Sequence, residues 1–151
     1  MPVQYSCFFS YSGGGWTPEY QKLIDAIELR LRDNIQYYLS LDLWRYSTSE
    51  SIGANYSAVI PNRLCQSVCM IALYAPVYET KETCIQEYVA MEDIEKQRLK
   101  RLNKTPADEL PMIIPIILKK RKGNKVPDWI SKSLNYLDLP SFIEQIGRAH
   151  V

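Results

Sequence analysis

The sequence lacks the features that mark several specialised classes of protein. Its longest apolar run, residues 111–118, is far shorter than the roughly 20 residues that a membrane-spanning helix needs. The 18 basic residues nearly balance the 17 acidic ones, so the composition favours neither a disordered chain nor a surface that attracts nucleic acid. We therefore expect no membrane segment and no nucleic-acid partner, and we interpret the basic run at 119–122 as a solvated loop.

Cysteine and histidine are scarce, and their spacing is not that of a metal site. The four cysteines lie in or beside apolar segments and lack the paired Cys-x-x-Cys spacing of zinc sites. They are Cys7, Cys65, Cys69 and Cys84. Because no charged and apolar leader is evident, we expect reduced thiols, a cytoplasmic location and no metal. The single histidine, His150, lies beside the last residue, and we assign it no role.

What the sequence does contain is a buried strand followed by a long helix. The segment 68–75 is a nearly continuous apolar run, which is typical of a strand buried on both faces of a parallel sheet. Pro76 ends this run, and a short polar link leads to a helix predicted over about 80–102. Thr83 and Gln86 have the spacing of a capping box at its start. Glu87 then falls in the first turns of the helix.

Strands and helices alternate along the rest of the chain. Thr17 and Pro18 have the order of an N-cap and a first helical residue, and an apolar stripe predicts a helix to residue 32, broken at 33–34. The prolines of the segment 111–118 favour an irregular or edge strand. The remaining predictions are strands at 3–9, 36–43, 111–118 and 134–137, helices at 54–66 and 141–146, and a short helix or loop at 126–133.

This alternation predicts one domain over residues 1–151. The expected architecture is an α/β fold of the flavodoxin-like, doubly wound kind, with a mainly parallel five-stranded sheet in the order 2-1-3-4-5 and helices on both faces. The switch point of this order lies between strands one and three. The loop 10–15 and the corner 78–87 should therefore meet at one crevice, and the loop 44–53 should leave the same edge.

Four segments in order resemble the sequence boxes of bacterial Toll/interleukin-1 receptor/resistance protein (TIR) domains. Residues 7–12 resemble the first box, commonly Phe-Ile-Ser-Tyr, and residues 41–53 resemble the second box with its BB loop. Residues 75–78 and 84–87 resemble the Ser-Pro-x-Tyr and Trp-Cys-x-x-Glu segment. The resemblance covers about residues 3–118, with Ala75 where serine is usual and Thr83 where tryptophan often precedes the cysteine.

The resemblance implies either of two functions. One class of TIR domain cleaves NAD at its nicotinamide-ribosyl bond in antiphage defence, gives ADP-ribose or a cyclic product, and becomes active when TIR domains assemble. Glutamate of the Cys-x-x-Glu segment is catalytic in that class, and this role falls on Glu87. NAD is then the substrate, with no separate cofactor, and other TIR domains and a sensor module or activating ligand are the implied partners. The other class consists of noncatalytic adaptors that assemble through TIR contacts.

The resemblance also implies residues around the reaction. Candidates for substrate binding are Phe9, Ser10, Tyr11, Ser12, Asp42, Trp44 and Thr83, and candidates for the BB loop and assembly are Tyr46, Ser51 and Gly53. Residue chemistry leaves alternatives open for several of them. The loop 10–15 either approaches a phosphate or is a flexible connection. Trp44 either stacks on a base or lies at a core edge, and Asp42 either holds a ribose or caps its loop.

One carboxylate is chemically sufficient for the implied reaction. The nicotinamide nitrogen of NAD is already cationic and leaves as a neutral amine without being protonated. Cleavage builds positive charge on the ribose, which a nearby carboxylate stabilises. A phospho-acceptor receiver is disfavoured because no paired acids follow strand one, whereas a nucleoside deoxyribosyltransferase shares the fold and the carboxylate and would differ in its substrate.

Overall fold

The chain folds around a single parallel sheet. A computed structural model describes residues 4–12, 16–39, 42–44, 63–103, 112–123, 125–132 and 136–141. The sheet order is β2-β1-β3-β4-β5, which confirms the predicted five-stranded, flavodoxin-like architecture. The elements are β1 (Tyr5–Ser10), α1 (Pro18–Leu39), β2 (Asp42–Trp44), β3 (Ser67–Tyr74), α2 (Pro76–Glu79), α3 (Glu82–Arg101), β4 (Ile113–Ile117), α4 (Asp128–Ser131) and β5 (Leu137–Asp138).

The centre of the sheet is the pair β1 and β3. Cys7 faces Cys69 and Ser10 faces Ala72 in a parallel register, so both strands end at the same edge. β2 joins the other side of β1, and β4 joins the other side of β3. Because β1 and β3 each have a neighbour on both sides, the residues that follow them meet at the centre of the carboxyl-terminal edge.

Side-chain alternation along the strands divides the core into two apolar clusters. One cluster joins Phe8 of β1 and alternate residues of β3 to Cys84, Tyr88 and Met91 of α3. The other joins Cys7 and Phe9 to Ile24 of α1. This division is what the twofold period of a strand produces when helices cover both faces of a sheet. It also places Ser10, two residues after Phe8, on the face of the sheet that α3 covers.

The first helix begins as predicted and ends later. The backbone N–H of Tyr20 donates to Oγ1 of Thr17 at 3.3 Å, and Pro18 is the first helical residue. The predicted break at 33–34 is wrong, since α1 continues to Leu39 and β2 spans only Asp42–Trp44. Neither Asp33 nor Asn34 is a glycine or proline, so each lowers helix propensity without ending the helix.

The corner after β3 is more helical than predicted. The link expected over 78–81 overlaps α2, whose first residue is Pro76, a position that proline favours because its missing N–H needs no partner there. The predicted capping box is also wrong. The N-cap of α3 is Lys81, and Gln86 Nε2 donates to Glu82 Oε1 at 3.1 Å. Glu87 consequently lies in the second turn of α3.

Strand β4 lies inside the sheet, although an edge or irregular position was predicted. Its pairing with β5 begins only at Ile116, so Pro115 pairs with Ala72 of β3 alone, where a missing N–H costs little. β5 lies at Leu137–Asp138, slightly later than predicted. α4 lies within the segment 126–133, for which a short helix or a loop was predicted. The last helix begins by residue 139, before the predicted start at 141.

Three further predictions concern the helix at 54–66, the cysteines and the membrane. Of the helix predicted at 54–66, residues 63–65 are helical and residues 54–62 lie outside the described part of the chain. All four cysteines are described, and each is a free thiol. None of the helices in the described segments is long and apolar enough to cross a membrane.

Candidate functional site

Three hydroxyl and carboxyl groups meet at the carboxyl-terminal edge of β1 and β3. Ser10 is the last residue of β1, Tyr78 lies in α2 and Glu87 lies in α3. Ser10 Oγ donates to Glu87 Oε2 at 2.6 Å, and the hydroxyl of Tyr78 lies 2.7 Å from Ser10 Oγ. Tyr78 is also within hydrogen-bond distance of the Cys84 carbonyl oxygen, at 3.2 Å. We call Ser10, Tyr78, Cys84 and Glu87 the Glu87 cluster.

The Glu87 cluster is almost fully enclosed. Glu87 is 6% exposed, Ser10 1% and Tyr78 0%. Burial raises the pKa of Tyr78 well above its usual range, and the charge of Glu87 raises it further. Burial raises the pKa of the Cys84 thiol to about 12, with Glu87 again adding to the effect. Both groups therefore keep their protons at neutral pH, and the Tyr78 hydroxyl remains available as a donor.

Helical periodicity explains why Glu87 is buried. The inward face of α3 carries Cys84, Tyr88 and Met91, and Glu87 falls between them on that face. A carboxylate in an apolar stripe loses hydration, which is unfavourable unless hydrogen bonds replace the water. Ser10 provides such a bond from the neighbouring strand. The buried position of a glutamate within an apolar stripe is a signal that the sequence contains, independent of any resemblance.

The predicted binding residues do not all lie at this cluster. Phe9 is buried in the core on the α1 side, where its ring contacts Tyr11 at a centroid distance of 5.5 Å. Ser12 is 0% exposed, and its carbonyl accepts a hydrogen bond from the Trp16 indole N–H. Thr83 is exposed, one residue before Cys84.

Other predictions cannot be placed at this level of detail. The side chains of Asp42 and Trp44 lie outside the described part of the chain, although their backbone forms β2 beside β1. Tyr46, Ser51 and Gly53 also lie outside the described residues. Their assignments, like those of Phe9, Tyr11, Ser12 and Thr83, stay predictions.

A small cavity opens on the α1 side of the same edge. Its volume is about 150 Å³, and aromatic rings of Trp16 and Tyr20 and the side chain of Lys119 line it together with Thr17, Ala75, Pro76 and Val77. The indole and phenol rings are tilted with centroids 5.9 Å apart. Sequence reasoning identified neither Trp16 nor Lys119. The segments that follow β1, β3 and β4 come together to form this cavity only in the folded sheet.

A larger open groove runs along α3, away from the Glu87 cluster. It has a volume of about 580 Å³ and is lined by Ile85, Gln86, Val89, Ala90, Glu92, Asp93 and Lys96. Val89 is 57% exposed there. Size alone would favour this groove as a ligand site, but its lining includes no buried and hydrogen-bonded ionisable group. Chemistry therefore favours the Glu87 cluster, where a carboxylate is held in a fixed position.

A second carboxylate, Glu79 at the end of α2, lies near the same edge. Arg121 forms an ion pair with it, and the Tyr74 hydroxyl donates to Glu79 Oε2 at 2.6 Å. The hydrogen bond from Arg121 holds the pKa of Glu79 below its usual range. We call Glu79 and Arg121, an ion pair that Tyr74 supports, the Glu79 pair. Because it anchors Arg121, the basic run 119–122 is more than the solvated loop that the sequence predicts.

Metal chemistry has no visible basis in the described segments. Within residues 4–12, 16–39, 42–44, 63–103, 112–123, 125–132 and 136–141, no group of three or more histidine, cysteine, aspartate or glutamate side chains is placed to bind a metal ion. The Glu87 cluster offers one carboxylate and neutral hydroxyl groups. Such a set can stabilise a cationic transition state or orient sugar hydroxyls.

Comparison with known proteins gives structural matches only. No protein-family model matches the sequence, and no curated protein does. The TIR domain of the Toll-related receptor TRR-2 from Hydra magnipapillata is similar with a TM-score of 0.61 and 16% identity, over 96% of this chain and 97% of that one. TIR domains in the activated Roq1 resistosome, which directly recognises the effector XopQ, match at a TM-score of 0.54 and 12% identity, over 75% of this chain and 57% of that one. The chain therefore has the fold of TIR domains.

Proposed function

We propose that the protein is a bacterial TIR domain that cleaves the nicotinamide-ribosyl bond of NAD, releasing nicotinamide and either ADP-ribose or a cyclic product. The observation that carries this proposal is the buried carboxylate of Glu87, held at 2.6 Å by Ser10 at the carboxyl-terminal edge of the central strands. Open α/β sheets bind ligands at that edge. TIR-like sequence boxes and the TIR fold support the family, and the retained glutamate supports the enzyme over the adaptor.

The chemistry needs a fixed anion beside the ribose. As the bond between ribose C1′ and the nicotinamide nitrogen breaks, the bonding electrons leave with nicotinamide and positive charge develops on the sugar. Glu87 stabilises that charge or orients the ribose hydroxyls. Water attack at C1′ then gives ADP-ribose and a proton, and attack by the adenine of the same molecule gives a cyclic product.

Burial of Glu87 supports control by assembly. At 6% exposure the carboxylate has little surface for a ribose, so the site must open or be completed before NAD reaches it. We propose that TIR contacts, with Tyr46, Ser51 and Gly53 in the BB loop, bring this about in a cytoplasmic antiphage response triggered by a sensor module or activating ligand. The likeness to TIR domains of a resistosome supports assembly.

The test is NAD consumption with both products identified by mass, at high protein concentration with and without a crowding agent. Wild type is compared with Glu87→Gln, which keeps the shape of the side chain and removes its charge. The matched control is Glu82→Gln, because Glu82 lies on the same helix and is exposed. We expect nicotinamide release by wild type and Glu82→Gln and none by Glu87→Gln. Equal activity of Glu87→Gln and wild type would refute the assignment.

A second candidate function is a noncatalytic TIR adaptor. The observation that favours it is the exposed apolar groove on α3 around Val89, a surface of the kind found at protein contacts. An adaptor would self-associate equally well as wild type and as Glu87→Gln and would leave NAD intact under every condition. Sedimentation of both proteins in parallel with the NAD assay separates the two functions.

A further inference from the structure

We infer that Ser10 and Tyr78 are positioning residues for Glu87, and that Tyr78 acts through Ser10. This inference rests on the proposed NAD cleavage and assigns a role to two side chains beyond the carboxylate itself. Neither residue is proposed to touch the substrate. The sequence predicts Ser10 as a substrate-binding residue and gives Tyr78 no role, so the inference changes the first assignment and adds the second.

Counting protons gives the hydrogen-bond chain a direction. Ser10 has one hydroxyl proton, and Ser10 Oγ donates it to Glu87 Oε2. The contact of 2.7 Å between Ser10 Oγ and the Tyr78 hydroxyl therefore needs Tyr78 as its donor. Tyr78 has only one proton, and the alternative acceptor, the Cys84 carbonyl, is farther away at 3.2 Å. The preferred order of donation is Tyr78 to Ser10 to Glu87.

Burial favours a positioning role over substrate contact. Ser10 is 1% exposed and Tyr78 is 0% exposed, whereas Glu87 retains 6%. The raised pKa of Tyr78 keeps its hydroxyl protonated across the physiological range, so the donor at the start of the chain is permanent. A serine hydroxyl that accepts from a fixed donor has its own proton directed away from that donor, which here means toward Glu87.

Fixing a glutamate matters because its side chain has several rotatable bonds. An anion that stabilises a developing charge must occupy its position before the reaction, and a displacement of about 1 Å costs about 100-fold in rate. Loss of the Ser10 hydroxyl removes the hydrogen bond that it donates to Glu87 Oε2. We expect Ser10→Ala to lower kcat by about 10- to 100-fold with KM within about twofold of wild type.

The experiment is a double-mutant cycle on NAD turnover with Ser10→Ala, Tyr78→Phe and the double variant. If Tyr78 acts through Ser10, the double variant is no slower than Ser10→Ala, because the second change removes an effect already lost. Tyr88→Phe is the matched control, since Tyr88 is buried in the same apolar core cluster as Tyr78 and its hydroxyl donates to the Trp129 carbonyl at 3.4 Å. Urea unfolding confirms that each variant is folded, and Tyr78→Phe alone gives the kcat and KM comparison should Ser10→Ala not fold.

Each outcome of the cycle supports or overturns the inference. A fall in kcat with KM unchanged, absent in Tyr88→Phe and non-additive in the double variant, supports it. Full kcat in Ser10→Ala while Glu87→Gln is inactive overturns the positioning role and leaves NAD cleavage standing. A rise in KM as the main effect also overturns it, since that result places Ser10 against the substrate. No turnover by wild type overturns both proposals.

Discussion

Two glutamates near one edge of the sheet are held by different kinds of partner. Glu79 accepts from Tyr74 and forms an ion pair with Arg121, whose side chain is 46% exposed. Glu87 is 6% exposed and accepts from the neutral hydroxyl of Ser10. Both receive a hydroxyl hydrogen bond of 2.6 Å, so the strength of that bond is not what distinguishes them.

The difference lies in the chemistry of the partner and in burial. A guanidinium compensates the charge of Glu79 and ties α2 to the segment after β4, which is a structural task. A serine hydroxyl fixes Glu87 Oε2 without bringing a positive charge to it. Burial also strengthens the electrostatic effect of Glu87 on any cation that reaches it, because the local dielectric is low. The comparison supports our proposal that Glu79 is structural and that Glu87 is catalytic.

The largest expected effect is on NAD turnover. Glu87→Gln should lower kcat by about 100-fold or more, because it removes the charge that stabilises the ribosyl cation. Glu79→Gln should leave kcat within about twofold, since that site is peripheral to the chemistry. Parallel initial-rate measurements at one protein concentration check the pair. Comparable losses of kcat in both variants would contradict the structural role of Glu79 and place this residue in the reaction.

Fold prediction succeeded where a pattern had one physical meaning. The apolar run ahead of Pro76 has the length and the proline boundary of a buried strand, and Thr17 with Pro18 marks a helix start at the right residue. Segment 36–39 has aromatic and aliphatic residues that suit a strand or a helix, and its place in α1 follows from continuation of the preceding turns. Local propensity is a weak guide at such positions because tertiary context decides.

Prediction of the site was limited by contacts between residues that are far apart in the sequence. Glu87 was identified by the resemblance, and the apolar stripe of α3 gives an independent reason for its burial. The role of Tyr78 was not predicted, because its contact with Ser10 joins residues 68 positions apart through the register of two strands. Trp16 and Lys119 were missed for the same reason. Sequence shows which residues follow a strand, and only the assembled edge shows which of them touch.

A smaller effect should appear in stability. Tyr78→Phe should lower the free energy of unfolding by about 1–3 kcal/mol, because it removes the buried hydroxyl that donates to Ser10 Oγ. Tyr74→Phe should cost less, since Glu79 keeps its bond from Arg121. Urea unfolding of both variants at neutral pH measures the difference. A larger loss in Tyr74→Phe would show that the Glu79 pair contributes more to the free energy of unfolding than the Glu87 cluster does.

The smallest expected effect concerns acid and salt. The hydrogen bond from Arg121 lowers the pKa of folded Glu79, so the stabilisation is full above the unfolded pKa of about 4.3 and is lost as pH falls through the folded pKa. The difference in unfolding free energy between wild type and Glu79→Gln should therefore be constant near neutral pH and shrink below about pH 4. It should also shrink at about 1 M salt, because Arg121 is partly exposed. A difference that grows in acid would contradict the ion pair and leave both carboxylates candidates for catalysis.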